Sequence, residues 1–241
     1  MANQISSVAD LIEVIGALSE DDELMFRGQS RDWPLLPGIG RFPCGRYAHD
    51  WRAFHEFTIE RFWRLAAPHL PSRATEDVEK WVMAQHHGLP TRLLDTTLNP
   101  LKAMHFAVSD PRDDVHDGVF WVFTYSGFRE DLDEKYRKFW DDQITAFLPA
   151  QIHPRLTAQE GAFVCYPLPA NAKKLPTLDK LPSSFAGSEE IRCHKFIVPA
   201  KQRRALRFEL HRLGARHSLL FPDLDGVARE ITFDLFEGFS R

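Results

Sequence analysis

The sequence predicts an α+β protein in which helices pack around a mixed or antiparallel sheet of short strands. Apolar residues at helical spacing dominate the first half of the chain, whereas strand-like stretches are short and dispersed. The 241 residues are 44% hydrophobic and 27% charged, which is enough apolar side chain for a core and unlike the composition of disordered proteins. We expect one domain over residues 1–241.

The first predicted elements are a helix, a strand and a long loop. Ser7 precedes an apolar stripe of period 3.6, so a capped helix follows it. Residues 23–28 alternate between two faces, which predicts a short strand whose end carries Arg27 towards a loop. Repeated prolines and glycines between residues 30 and 45 predict that loop.

Three helices and one extended stretch come next. Apolar spacing predicts a helix from Trp51 and another that follows the cap residue Thr75 and ends at Gly88. Residues 92–97 look extended. The dipeptide Asn99-Pro100 combines a capping side chain with the preferred first helical residue, which predicts a short helix.

The second half begins with residues 118–125, which are apolar on both faces and predict a buried central strand. Residues 128–147 form a charged amphipathic segment and residues 162–166 a short strand. Residues 167–188 hold four prolines and predict a surface loop. The remaining elements are a strand over 192–198, a helix over 201–213 closed by Gly214, and a helix over 224–236 after the turn 222–226.

Composition excludes several classes of protein. There are 30 basic and 34 acidic residues, so a net charge of −4 provides no global field towards a nucleic acid or an anionic membrane. The apolar stretch 119–125 is far shorter than the roughly 18 residues of a membrane span, and the N-terminus lacks a secretory pattern. Cys44, Cys165 and Cys193 are scattered and read as reduced packing residues. We expect a soluble cytoplasmic protein with no membrane contact.

Two segments of the first half could carry chemistry. In Phe26-Arg27-Gly28-Gln29 a strand delivers a guanidinium suited to phosphate or carboxylate, and the glycine would let a ligand approach the backbone; a surface arginine in a turn is the plainer interpretation. Residues 85–100 are the densest polar stretch. Thr96 and Thr97 stand where a strand gives way to a capped helix, which suits either an anion or ribose site or a simple capping array.

Two segments of the second half are further candidates. Gln159 and Glu160 precede a short strand, where the carboxylate could contact a sugar hydroxyl, act as a base, or merely be solvated. Asp223 and Asp225 could hold a cation or only open a helix.

Together these segments resemble the FRG domain, a bacterial family named for a Phe-Arg-Gly triplet, here residues 26–28. The resemblance covers most of the chain, with further motifs in residues 85–100, 154–163 and 221–226. A more distant resemblance is to the Arg-Ser-Glu type of ADP-ribosyltransferase. It rests on Arg27-Gly28, then Asp95-Thr96-Thr97 with Ala103-x-x-Phe106-Ala107, then Gln159-Glu160. The first resemblance implies a single FRG domain, and the second implies an ADP-ribosyltransferase-like fold.

The resemblance also implies a substrate and roles. The protein would bind NAD as a substrate without a metal and transfer ADP-ribose to water or to a protein, nucleic-acid or small-molecule acceptor. Glu160 would stabilise the cationic transition state, Arg27 would clamp the pyrophosphate, and Thr96 or Thr97 would fix the nicotinamide ribose. The other residues implied at the NAD site are Gly28, His86, His87, Arg92, Asp95, Phe106 and Gln159. Family analogy points to a toxin or antiphage effector.

Two other functions stay open. The first is a non-catalytic module that binds a nucleotide or nucleic acid through Arg27 and residues 86–97. The second is a metal-dependent hydrolase built from His86 or His87, Asp95, Asp223 and Asp225.

Overall fold

The computed structural model describes residues 3–18, 23–44, 50–69, 77–125, 143–150, 153–169, 172–183, 185, 187 and 191–238. The helices in this part of the chain are α1 (Val8–Leu18), α2 (Trp51–Ala66), α3 (Asp77–His86), α4 (Pro100–Val108), α5 (Pro154–Gln159), α6 (Arg203–Arg212), α7 (His217–Leu220) and α8 (Leu224–Glu237). The strands are β1 (Glu23–Gln29), β2 (Leu93–Thr97), β3 (Gly118–Tyr125), β4 (Thr145–Phe147), β5 (Gly161–Cys165) and β6 (Ile191–Val198).

The described strands form one sheet in the order β4-β5-β2-β1-β3-β6, and every neighbouring pair is antiparallel. The α+β class and the antiparallel sheet are therefore confirmed. Every residue of β3 is buried, as its apolar sequence predicts. This strand lies between β1 and β6, so both of its edges are paired.

The sheet buries an apolar cluster on each face. Phe26 and Phe120 belong to the cluster covered by α1, α4 and α6, and their rings stack at 5.9 Å. Met25 and Trp121 point into the opposite cluster. The alternation in β1 therefore divides its side chains as the sequence predicts, because successive strand residues face opposite sides.

Three predicted helix starts have the expected side-chain caps. Ser7 Oγ accepts from the amide of Asp10 at 3.2 Å, and Asp223 Oδ1 accepts from that of Gly226 at 2.7 Å. Asn99 Oδ1 accepts from two amides of the first turn of α4. These oxygens satisfy amides that have no partner within a helix. The predicted cap at Thr75 lies outside the described residues.

The predicted surface loop over residues 167–188 needs correction. Leu168, Leu175 and Leu178 are at most 5% exposed and pack into two apolar clusters. Prolines interrupt regular hydrogen bonding, but they do not prevent a leucine from packing. Residues 126–142, most of the predicted amphipathic segment, lie outside the described part, and its end is the buried strand β4.

Sequence reasoning missed α5 and α7, which are short. The start of α5 repeats a signal recognised elsewhere, because His153 Nδ1 caps the helix and Pro154 is its first residue. No disulfide joins the three cysteines, and Cys44 and Cys165 are buried as expected of packing residues. No helix within the described ranges combines the length and apolar character needed to cross a bilayer.

Candidate functional site

A cavity of about 310 Å³ lies where β1, β2, α3, α4 and α5 meet. This volume falls at the lower end of the range of about 300–1,000 Å³ typical of small-molecule pockets. The cavity brings together eight of the residues singled out from the sequence: Arg27, Gly28, His86, Asp95, Thr96, Thr97, Phe106 and Gln159. It is also lined by Gln85 and Arg155, which sequence reasoning did not select.

Strand order explains why distant segments meet here. Phe26 of β1 is in register with Thr97 of β2, and Thr97 is in register with Gly161 of β5. The Phe-Arg-Gly triplet, the threonine pair and the start of β5 therefore lie side by side on three adjacent strands. α5 ends at Gln159, and Glu160 alone separates it from β5, so the Gln159 side chain reaches the same cavity.

Arg27 is held by the main chain of the neighbouring strand. Its Nη1 donates to the carbonyl oxygen of Asp95 at 2.6 Å and lies 4.0 Å from the Asp95 carboxylate. Its Nε is buried without a hydrogen-bond partner, and the side chain is 18% exposed. Burial lowers the pKa of Arg27, against the attraction of Asp95, yet a guanidinium stays charged at any physiological pH. An unused donor on a largely buried cation favours binding of an anion.

Asp95 contributes a carboxylate to the cavity. Its side chain is 65% exposed, and Oδ1 accepts from Gln85 Nε2 at 2.7 Å. Gln85 is itself fixed, because its Oε1 accepts a hydrogen bond from Thr91. Gln85, in the last turn of α3, therefore orients the carboxylate of Asp95 on β2.

Arg155 brings a second guanidinium to the cavity. It follows Pro154 in the first turn of α5, and its guanidinium carbon lies 4.3 Å from the centre of the Phe221 ring. Burial lowers its pKa, and the charges of Asp95 and Asp223 act against that shift. Among the residues that the structure describes, no carboxylate lies within ion-pair distance of this guanidinium. Its position at a helix start after a capped proline is the signal that could have identified it.

His86 is a neutral imidazole at this site. Burial is the main cause that lowers its pKa to about 4, and the nearby His153, Arg155 and His87 add to the shift. The His153 ring centre is 3.6 Å from that of His86. The cavity therefore gains no charge from His86 near neutral pH.

The two threonines differ in how their hydroxyl groups are used. Thr97 Oγ1 donates to the Gln159 carbonyl oxygen at 2.6 Å and accepts from the Asn99 amide at 3.0 Å. It thus ties β2 to the start of α4 and the end of α5. Thr96 Oγ1 has only a contact of 3.5 Å with Met25 Sδ, a weak acceptor. Of the two, Thr96 keeps more hydrogen-bonding capacity for a ligand.

Three residues singled out from the sequence do not line the cavity. Glu160 has a left-handed backbone (φ 47°) and forms an ion pair with Lys102 at 2.8 Å, with 47% of its side chain exposed. Burial would raise the pKa of Glu160, but hydrogen bonds from Lys102 and Asn99 outweigh it and lower the pKa. Arg92 is 2% exposed and donates to the Tyr166 carbonyl oxygen, and the His87 ring lies against Phe62.

The group that approaches the Gly28 backbone closely is the backbone of α4 and not a ligand. A Cβ atom at this position would stand 1.8 Å from the carbonyl oxygen of Ala103 and 2.7 Å from the amide nitrogen of Ala107. Sequence reasoning assigned that space to a ligand, but the backbone of α4 fills it. The glycine of the triplet is thus required for strand–helix packing, although it also lines the cavity.

The ligand set suggested for a metal-dependent hydrolase is not assembled. Asp223 is the cap of α8, as described above. Within the described ranges, potential ligand atoms of His86, His87, Asp95, Asp223 and Asp225 do not form a group lying within 4.8 Å of one another.

The family comparison matches the first half of the site. The family model described as FRG domain matches residues 22–116, which include β1, β2, α3 and α4. Comparison with curated proteins and with solved structures finds no match to this chain. The matched segment ends before β3, whereas Arg155 and Gln159 lie beyond it. This segment, which carries the Phe-Arg-Gly triplet and the threonine pair, is therefore the part of the chain that is similar to the FRG domain family.

Proposed function

We propose that the cavity binds NAD and that the protein transfers ADP-ribose from it to an acceptor or to water. The observation that carries this proposal is the convergence of Arg27 and Arg155 on one cavity from different elements. Two guanidinium groups suit a pyrophosphate, since each can donate in parallel to phosphate oxygens. The unpartnered Nε of Arg27 supports the same conclusion.

The other walls suit the rest of a nucleotide. Phe106, which is partly exposed, provides aromatic surface on which a base or nicotinamide ring can stack. Thr96 offers a hydroxyl to a ribose. Because the cavity measures about 310 Å³, one half of the dinucleotide would lie inside it and the other half at its mouth.

Cleavage of the nicotinamide–ribose bond develops positive charge on the ribose, which a nearby carboxylate stabilises. Asp95 is the carboxylate that lines the cavity within the described part of the chain. Glu160, which the resemblance selects, is paired with Lys102 outside the lining. We therefore assign the stabilising role to Asp95, held in place by Gln85.

One observation favours a second candidate, a module that binds nucleotides without cleaving them. The Asp95 carboxylate is hydrogen-bonded to Gln85 and faces Arg27 at 4.0 Å, so part of its charge is already compensated. A role as a toxin or an antiphage effector in the cytoplasm is proposed on family analogy alone.

The test is to titrate the protein with NAD by calorimetry and to measure free nicotinamide in the same samples. Binding with time-dependent release of nicotinamide is the expected result, because only cleavage of the glycosidic bond produces that molecule. Binding without release, across protein, nucleic-acid and water acceptors, would establish the binding module instead. Absence of NAD binding would overturn the transfer of ADP-ribose and would restrict the binding module to other nucleotides.

A further inference from the structure

A second, much smaller void lies among α4, α6, α7 and α8. Its volume is about 10 Å³, close to the roughly 10–15 Å³ that a cavity needs to hold a single water molecule. It is lined by His105, His211, His217 and Glu230, one from each helix. Three histidines and a carboxylate around a space of atomic size have the composition of a metal site.

Three ligand atoms of this region are already grouped. A ring nitrogen of His211 and one carboxylate oxygen each of Glu230 and Asp234 lie within 4.8 Å of one another. His211 Nε2 and Asp234 Oδ1 are 3.3 Å apart. Four ligands at about 2.0–2.2 Å from a tetrahedral ion are roughly 3.3–3.6 Å from one another, so this pair is already at coordination spacing. Glu230 and Asp234 share one face of α8 because they are four residues apart.

Two buried imidazole nitrogens provide an independent observation. His105 is 8% exposed, its Nδ1 lies 3.2 Å from the Ala215 carbonyl oxygen, and its Nε2 has no hydrogen-bond partner. His217 Nδ1 is also buried without a partner. Buried polar atoms of this kind are rare, because each loses its hydrogen bonds to water. An Nδ1–H held by a carbonyl oxygen leaves Nε2 with a lone pair, the arrangement usual in metal-binding histidines.

The surrounding charges are compatible with a cation. Arg207 and Arg216 also line the void. The Arg207 guanidinium is paired with Asp114 and Glu237, and Arg216 Nε donates to the His211 carbonyl oxygen at 3.0 Å. Glu230 Oε2 accepts from the Ser218 amide at 3.0 Å, which fixes this carboxylate in the void.

We propose that one divalent transition-metal ion of the Zn²⁺ class binds at this void. Its ligands are His211 and Glu230, which line the void, and Asp234, which has a carboxylate oxygen within 4.8 Å of their ligand atoms. His105 and His217 supply the imidazole nitrogens from which a fourth ligand comes. Imidazole donors favour Zn²⁺ over Mg²⁺ or Ca²⁺, which prefer sites made of oxygen atoms alone. The ion would fasten α6 to α8 and would therefore be structural.

The metal site is independent of the proposed function. His105 and Phe106 are neighbours on α4, but His105 lines the void and Phe106 lines the cavity. No reacting group of the nucleotide would touch the ion. If the protein binds no metal ion, the function proposed for the cavity is unaffected. If the cavity binds no NAD, the proposed metal site is likewise unaffected.

The test uses the full chain, stripped with a chelator that is then removed, and titrated with Zn²⁺ alone by calorimetry. We expect one equivalent to bind per chain, a rise in Tm with Zn²⁺ but not with Mg²⁺, and a visible Co²⁺ spectrum typical of four-coordinate nitrogen and oxygen ligands. Asp234→Asn and His211→Gln should each weaken Zn²⁺ binding roughly tenfold or more. The matched controls are Asp225→Asn, exposed on the same helix, and His116→Gln, exposed elsewhere, which should bind as the wild type does.

Two results would overturn the proposal. One is a folded wild-type chain that takes up no stoichiometric Zn²⁺ and gives no such Co²⁺ spectrum. The other is an Asp234→Asn variant with wild-type affinity, which would leave an ordinary ion pair between His211 and Asp234. If both site variants fail to fold, the wild-type stoichiometry and spectrum still decide.

Discussion

Arg27 Nη1 donates to the Asp95 carbonyl oxygen at 2.6 Å, across two neighbouring strands, while the Asp95 carboxylate stands 4.0 Å away. The orientation of the guanidinium is therefore set by the main chain. Its charge is only partly compensated, since the carboxylate is beyond hydrogen-bond distance and is bonded to Gln85. A ligand anion can thus approach an arginine that is already in position.

Replacement of Arg27 by lysine should weaken NAD binding markedly while the chain still folds. Lysine keeps the positive charge, but it lacks the planar fork and the unused Nε donor. Calorimetry gives the affinity and circular dichroism checks the fold. Arg192→Lys, on the exposed side of β6 outside the cavity, is the control. Wild-type affinity in Arg27→Lys would refute the clamp.

Replacement of Arg155 by alanine should also weaken NAD binding, because it removes the second guanidinium of the cavity. Arg229 is a matched control, since its guanidinium carbon lies 5.9 Å from the same Phe221 ring but does not line the cavity. A titration of each variant with NAD separates the two. Equal losses in both would indicate that support of Phe221, and not contact with the ligand, explains the effect.

Amide variants distinguish the catalytic roles proposed for the carboxylates of Asp95 and Glu160. Asp95→Asn should retain NAD binding and lower the rate of nicotinamide release by about two to three orders of magnitude, the usual loss when one transition-state contact is removed. Glu160→Gln should release nicotinamide within a few-fold of the wild-type rate, because its carboxylate pairs with Lys102 outside the cavity. Single-turnover measurements give both rates. The reverse pattern would return the role to Glu160.

Gly28→Ala should destabilise the fold by about 1–3 kcal/mol or more, because the new methyl group would meet backbone atoms of α4 that cannot move alone. Gly16→Ala is the control: nothing lies within 4 Å of its Cβ position on α1, so alanine should stabilise the helix by about 0.5–1 kcal/mol. Urea unfolding of both variants measures these differences. A Gly28→Ala variant as stable as the wild type would show that α4 does not pack this closely on β1.

Stability should fall as the pH drops below about 6.5, in part through His55. Burial, aided by the charge of Arg92, holds the pKa of His55 well below 6.5 in the folded chain, whereas the unfolded chain takes up the proton near that pH. The unfolded state then binds more protons, so acid favours it, by up to about 1.4 kcal/mol per pH unit for one group. His55→Phe should make the loss of unfolding free energy between pH 7 and pH 5 shallower. His116→Gln, an exposed control, should follow the wild type, and an equal slope in His55→Phe would contradict this account.

Sequence patterns predicted the elements that depend on neighbouring residues. The caps at Ser7 and Asn99 and the alternation in β1 are local signals, and all three are observed. The pairing of β2 with both β1 and β5 is not local, and it is this pairing that selects which polar side chains meet. Arg155 was missed because its importance comes from its place on a short helix.

The contact of Gly28 with Ala103 also determines which wall of the cavity can move when a ligand binds. A second glycine contact, between the Gly118 Cβ position and the Ala107 carbonyl oxygen at 2.8 Å, fastens α4 to β3 as well. Because α4 is in close contact with both β1 and β3, a movement of β1 must carry α4 with it. Any widening for a bulky ligand would have to come from α3 or α5, and α5 is a helix of only six residues. Adaptation to different ligands would therefore be concentrated on the side that carries Arg155.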